Sequence, residues 1–282
     1  MTTDGQEHVP SVAGPMTRTL SGITSIMRLL LAQSEPWTLD PQCICMPWQE
    51  DRLTSVQSRP LTVGLLLDDG VVRPHPPIQR YLKAVAAALE AAGHTVVVWT
   101  PEGHKRCYEL MDKYVTSDFW EDIRNAVLAS GEPFIPYIDN LMSRSTPIPI
   151  TEYWAVNQAR VVAQKAYLDR WQGQSIDVLL TPVLPHCAVP HRKMSWTGYT
   201  KIWNFLDYTA LSFPVGFVDK HVDLVSSHSY VPRNADDAAN WSLFDPEAMH
   251  GMPISLQLVG YTLEEEKVLD AATSINTLLH RL

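Results

Sequence analysis

Apolar side chains return every three or four residues from Leu20 through Ile23, Ile26, Met27, Leu30 and Leu31. That spacing predicts an amphipathic helix over 17–33, ended by Ser34-Glu35-Pro36. A proline-rich loop with Pro41, Pro47 and Trp48 follows. The period then changes. Leu61 to Leu67 is a continuous apolar run closed by Asp68-Asp69-Gly70, the pattern of a buried strand and its turn. Residues 78–92 are rich in Ala and Leu with Gly93 behind them, which predicts a helix with a glycine stop. Thr95 to Trp99 reads as the next strand. Strand, helix and strand in about forty residues make a βαβ unit, which favours parallel pairing.

Beyond it, residues 104–142 read as helical with a break at Gly131-Glu132-Pro133. A long helix is expected from a Thr151 cap to Trp171, with Glu152 in its first turn. Residues 176–180 form a short buried strand halted by Thr181-Pro182. Residues 200–210 are helical and lead into an extended 211–215. Residues 219–247 are polar and irregular, the pattern of a surface excursion. Residues 254–259 make a last strand. A closing helix over 263–282 carries acids at its start and His280-Arg281 at its end, matching the helix dipole. The chain is therefore α/β with a mostly buried sheet, without Gly/Ser linkers that would divide it.

Composition narrows the function classes. The 282 residues are 45% apolar and 19% charged, values of an ordinary globular chain rather than a disordered one. Acids exceed bases by 31 to 22, and no Lys/Arg stripe is present, so nucleic acid is not an expected partner. The run ITSIMRLLLA is short and holds Arg28, so no membrane span is expected. The polar start has no signal-peptide pattern, and Cys43, Cys45, Cys107 and Cys187 are scattered. Reduced thiols and a cytoplasmic location are expected.

Short motifs give little chemistry. A Walker loop, GxGxxG, HExxH and GxSxG are all missing, so no cofactor is expected. His186 and His191 frame a rigid Pro-containing loop that lacks a nearby third ligand, and no metal is assigned. Asp68 and Asp69 stand where turn-forming acids usually do. Lys165 and Lys201 would serve as bases only if buried. Tyr153, Trp154, Tyr167 and Trp171 along one helix read as core aromatics rather than a ligand box.

An ordered set of longer stretches is more specific. GQEHVPSVAGPMTRTL, EPWTLDPQCICMPWQED, GLLLDDGVVRPHPPIQRYL, GEPFIPYIDNLMSR, ITEYWAVNQAR, DVLLTPVLPHCAVPH, GYTKIWNFLDYTALSFPVG and LFDPEAMHGMPISLQLVG resemble, in sequence order, the amidase signature family in its fungal acetamidase-like branch. The resemblance covers essentially the whole chain. It implies a mixed central sheet flanked by helices and hydrolysis of carboxylic amides by a serine nucleophile, a second serine and a lysine base.

In that family the catalytic apparatus lies ahead of the segment resembling GPMTRTL. The resemblance therefore implies that residues 1–282 are the C-terminal, substrate-facing portion of an amidase domain, an incomplete amidase-signature fold. No catalytic residue is assigned. Ser11 and Ser21 lack glycine-rich surroundings, and the chain has only 13 glycines and no Gly-Ser-Ser. The segments 181–191 and 203–213 match pocket walls, which makes His186, Trp203, Asn204 and Tyr208 candidate substrate-binding residues. The expected behaviour is an inactive truncated amidase whose partner is a small amide. A sheet short of strands would lose on the order of 10 kcal/mol of burial, so self-association or pairing with an N-terminal half is expected. The alternative is a non-catalytic ligand-binding or partner protein that retains the substrate-pocket half, with a fungal secondary-metabolite pathway as its setting. A third reading gives the remnant a new reaction at His186 or Asp69.

Overall fold

A computed structural model describes residues 5–54, 56, 59–143, 146–194, 196–224 and 230–279. In chain order the elements are α1 (Leu20–Gln33), α2 (Glu50–Leu53), β1 (Thr62–Leu65), α3 (Pro76–Ala91), β2 (Thr95–Val98), α4 (His104–Val115), α5 (Glu121–Ser130), α6 (Pro136–Ser143), α7 (Ile150–Gly173), β3 (Val178–Pro182), α8 (Gly198–Leu206), β4 (Thr209–Phe217), α9 (Ala235–Trp241), α10 (Pro246–Met249), β5 (Pro253–Gly260) and α11 (Glu265–Leu279). His280 and Arg281, expected to close the last helix, lie outside the described residues.

The five strands form one mixed sheet in the order β2-β1-β3-β5-β4. β1 pairs in parallel with β2 and with β3, whereas β5 runs antiparallel to both β3 and β4. The expected βαβ unit is therefore present, with α3 as its crossover. Strand alternation sorts the side chains onto two faces. Val63, Leu65, Val178, Leu180, Leu256 and Leu258 face a core closed by α3 and α11. Leu66, Leu179 and Val259 face a second core closed by α4, α7 and α8. Because both faces of β1 and β3 are covered, their sequences read as unbroken apolar runs. Gly64 is fixed by this packing: a Cβ there would stand 2.8 Å from Leu179 Cδ1.

Four expectations are corrected. The first helix begins at Leu20, where Thr19 caps it by accepting from the Gly22 amide. α7 starts at Ile150 after Pro149, so Thr151 lies inside the helix and caps nothing. The 104–142 region breaks a second time, where Phe119 and Trp120 take left-handed backbone conformations (φ 55° and 60°). The polar 219–247 stretch is only partly a surface excursion. It contains α9 and the first residues of α10, and it buries Asp223, Asp237 and Asn240.

Candidate functional site

β1 leads through α3 to β2 on one side, and the chain then returns to place β3 on the other side of β1. In open α/β sheets such a reversal leaves a crevice at the carboxyl ends of the two strands. Here the loops 66–75 and 183–197 meet there. They are stitched together by the His75 amide, which donates to the Pro185 carbonyl at 2.7 Å.

Asp69 is the centre of one half of this crest. Its side chain is buried, and Oδ1 accepts from the Val71 and Val72 amides, both at 2.8 Å. Oδ2 accepts from Trp196 Nε1 at 2.9 Å and from the Tyr108 hydroxyl at 3.3 Å. Tyr199 completes the lock, accepting from the Asp69 amide and donating to the Val72 carbonyl. Burial nevertheless outweighs these donors and lifts the Asp69 carboxyl to about 6. Gly70 permits the turn, at φ 78°.

The polar chain continues inward with a defined direction. Trp99 Nε1 can only donate, and it reaches the Tyr167 hydroxyl at 2.9 Å. The Tyr167 hydrogen is then directed to His104 Nε2 at 3.2 Å. Tyr108 gives its hydrogen to Asp69, so its oxygen accepts from His104 Nδ1 at 3.3 Å. The sequence of donors fixes His104 as the neutral Nδ1–H tautomer. Burial agrees, holding its pKa down near 3.

The other half of the crest is formed by two imidazoles. His75 and His186 are 0% and 7% exposed, with ring centroids 6.4 Å apart. His75 Nε2 lies 2.8 Å from the Asn240 carbonyl, and His186 Nδ1 lies 2.9 Å from the Cys187 carbonyl. Desolvation lowers the pKa of both, that of His75 to about 4.

The predicted site residues do not all converge. His186 sits on the crest. Trp203 and Tyr208 stack on one another in the second core, at 6.4 Å, with the indole nitrogen and phenol oxygen lacking protein partners. Asn204 faces solvent and donates to the Thr200 carbonyl one turn earlier in its own helix. Asp68 is held by Arg233 at 2.6 and 2.9 Å. His191 is exposed and is not the ring beside His186. Tyr167 and Trp171 are core residues, whereas Trp154 is 63% exposed. His75, Tyr108 and Trp196 were not among the sequence candidates. Trp196 lies 127 residues from Asp69, a separation that no local motif spans.

Among the described residues no serine or lysine is buried. Ser11 and Ser21 are exposed, Lys165 pairs with Asp169, and Lys201 pairs with Asp112 at 2.5 Å. No group of three His, Cys, Asp or Glu side chains forms a metal cluster among the described residues, and none of their helices is long and apolar enough to cross a membrane. Two surface cavities flank the start of α4 and share Gly103 and Arg106. A hollow of about 420 Å³ reaches Asp69 and Gly70, and an apolar groove of about 550 Å³ runs between α4 and α7 over Ala159, Val162, Ala163 and Ala166.

The mixed five-stranded sheet flanked by helices has the fold of a solved amide hydrolase, and the sequence places the chain in the same kind of family. Residues 2–269 match the family model described as Amidase, and the chain belongs to that family. It is 46% identical over 282 residues to Amidase 1 of Gibberella moniliformis, covering 98% of this chain and 54% of that protein. Acetamidase of Aspergillus oryzae is 35% identical, with 98% of this chain and 52% of that protein covered. Among solved structures, fatty acid amide hydrolase superposes with a TM-score of 0.90 at 30% identity, over 98% of this chain and 49% of that one. The chain spans about half the length of the curated relatives it matches.

Proposed function

We propose that the chain forms the substrate-facing portion of an enzyme that hydrolyses a carboxylic amide to a carboxylate and ammonia or an amine, and that it does not turn over alone. In this reading the loops 66–75 and 183–197 wall the acyl pocket, with His186 facing it and Trp203 and Tyr208 buttressing the wall from the core. Asn204, turned to solvent, is its weakest member.

The chemistry needs a hydroxyl made nucleophilic by a base and an oxyanion held by backbone amides. A lysine base must lose its proton near neutral pH, which requires burial. The absence of any buried lysine or serine among the described residues is the observation that supports reading these residues as wall rather than nucleophile.

A chimera tests this. The part of Amidase 1 of Gibberella moniliformis that precedes its matching region would be joined to this chain and assayed for ammonia release from acetamide and an aryl amide. The expected result is turnover by the chimera and none by this chain above a heat-treated control. Turnover by this chain alone, or a folded chimera without turnover, would sink the reading.

A further inference from the structure

The Asp69 half of the crest is a chain of hydrogen bonds that runs in one direction at a time. With Asp69 ionised, the Tyr108 hydroxyl donates to Oδ2 and accepts from His104 Nδ1, both at 3.3 Å. The Tyr167 hydroxyl donates to His104 Nε2 at 3.2 Å. Asp69 and His104 are 1% and 0% exposed, and a hollow of about 420 Å³ brings solvent to the Asp69 turn. A proton taken up by Asp69 has one place to settle. Oδ1 already accepts from the Val71 and Val72 amides. Oδ2 faces Trp196 Nε1, which can only donate, and Tyr108, which can also accept.

A hydrogen on Oδ2 therefore points at the Tyr108 oxygen, and the rest of the chain turns over with it. Tyr108 then donates to His104 Nδ1, which must be bare, and the ring hydrogen stands on Nε2. Nε2–H donates to the Tyr167 oxygen, which has a second lone pair beside the one used by Trp99 Nε1. The hydrogens balance. One proton comes from solvent, Oδ2 gains a hydrogen, His104 exchanges Nδ1–H for Nε2–H, and each tyrosine keeps one. The surroundings direct the charge to Asp69. Beside it, Asp68 is held by Arg233, and Tyr199 of α8 accepts from the Asp69 amide. Lys105, Arg106 and Glu109 of α4 line the hollow. Arg170 of α7 lies 4.5 and 5.8 Å from the Trp99 and Tyr167 rings. Burial and the Arg170 charge hold the His104 pKa near 3, whereas burial lifts the Asp69 carboxyl to about 6. Burial also pushes the Cys107 thiol of α4 up to about 11, so it stays neutral throughout.

We propose that Asp69, Tyr108 and His104 form a proton-driven tautomer switch, in which uptake of one proton at Asp69 converts His104 from its Nδ1–H to its Nε2–H form and loosens the hold of Trp196 on the crest. The hold loosens because a hydrogen bond to a carboxylate is about twice as strong as one to a neutral carboxyl. Trp196 joins the loop 183–197 to the loop 66–75, so the junction of the two loops responds to pH. The same event reaches Tyr167 and Trp99 in the second core. Global stability moves the other way, because burial favours the neutral carboxyl. This inference does not depend on the amidase reading.

The test follows the full chain, labelled with nitrogen-15 histidine and carbon-13 aspartate, by NMR on both sides of about pH 6. The His104 ring is assigned through its contacts with the Tyr108 and Trp203 rings. Its hydrogen should stand on Nδ1 above the Asp69 midpoint and on Nε2 below it, with one midpoint for both residues. The Trp196 indole hydrogen should exchange with solvent faster on the acid side. Asp69→Asn places an NH2 where the acquired hydrogen would stand and should hold the Nε2–H form at every pH. Tyr108→Phe cuts the relay and should make the His104 tautomer independent of pH, while exposed His191, His221 and His250 titrate as before. If Asp69→Asn fails to fold, Tyr108→Phe and the unaltered chain carry the test. A His104 that keeps Nδ1–H while Asp69 titrates, an imidazolium formed in its place, or a swap that survives Tyr108→Phe overturns the proposal. So does an Asp69 that stays ionised until the chain unfolds in acid.

Discussion

α1 and α3 carry the same kind of sequence signal and use it differently. Both show apolar residues at helical spacing. Across its 16 residues α3 buries Pro77, Ile78, Leu82, Val85, Ala86 and Leu89 against the sheet. Across its 14 residues α1 buries none, and Ile26, Leu29 and Leu30 are 38%, 52% and 46% exposed. α1 is tied down at its rim instead, by Leu20 against the first core and by Arg28 paired with Glu50 at 2.6 Å. Hydrophobic periodicity therefore reports which face a helix can bury. Whether that face is buried depends on what the rest of the fold lays against it.

Deletion of side-chain volume should expose this contrast most strongly. Leu82 is fully buried, so Leu82→Ala should cost about 2–5 kcal/mol through lost transfer energy and a residual cavity. Urea unfolding followed by far-UV dichroism measures it. A loss below about 1 kcal/mol would mean that the α3 face is no better packed than that of α1, and the contrast would collapse.

The buried polar lock at Asp69 is the next largest effect. Asp69→Asn keeps an acceptor for the Val71 and Val72 amides but turns an NH2 towards the Trp196 indole and the Tyr108 hydroxyl. At pH 7 it should cost about 1–3 kcal/mol. The pH dependence carries a definite sign. The folded pKa, about 6, lies above the ordinary 3.8, so the folded chain binds the proton more tightly than the unfolded chain does. The Asp69 contribution is fully present below 3.8 and is lost as pH rises through about 6, a decline of about 3 kcal/mol. In Asp69→Asn that slope should vanish. Melts at intervals across this window decide it, and parallel curves for the two proteins would show that Asp69 does not titrate there.

Most of the scaffold was legible because local pattern and tertiary environment agree. β1 and β3 are apolar on both faces and lie between two cores. α3 has two prolines in its first turn, where their missing amides cost nothing, and Gly93 behind its end. The misreadings arise where polar residues do structural work inside. Asp237 accepts from the Arg73 and Arg233 amides and Asn240 holds the Arg73 carbonyl, so a stretch that hydropathy assigns to the surface is partly interior. The break at Phe119-Trp120 is invisible because neither residue type favours a left-handed backbone. At the crest, Asp69 reads as an ordinary turn acid. Its partners come from α4 and from the loop after β3, and only the topology of the sheet brings them together.

The smallest expected effect is the sharpest test of the contrast between the helices. Leu30→Ala in α1 removes a side chain already 46% exposed, and alanine is the better helix former. Loss of partial burial and gain of propensity oppose one another, so unfolding stability should change by no more than about 0.5 kcal/mol. The same truncation at Leu82 is at least several times larger. A cost near that of Leu82→Ala would require the α1 face to be covered in solution by something other than the described fold. Repeating the Leu30 measurement across protein concentration would then identify the cover. A cost that grows with concentration places another copy of the chain on α1, and a constant cost places it within the same molecule.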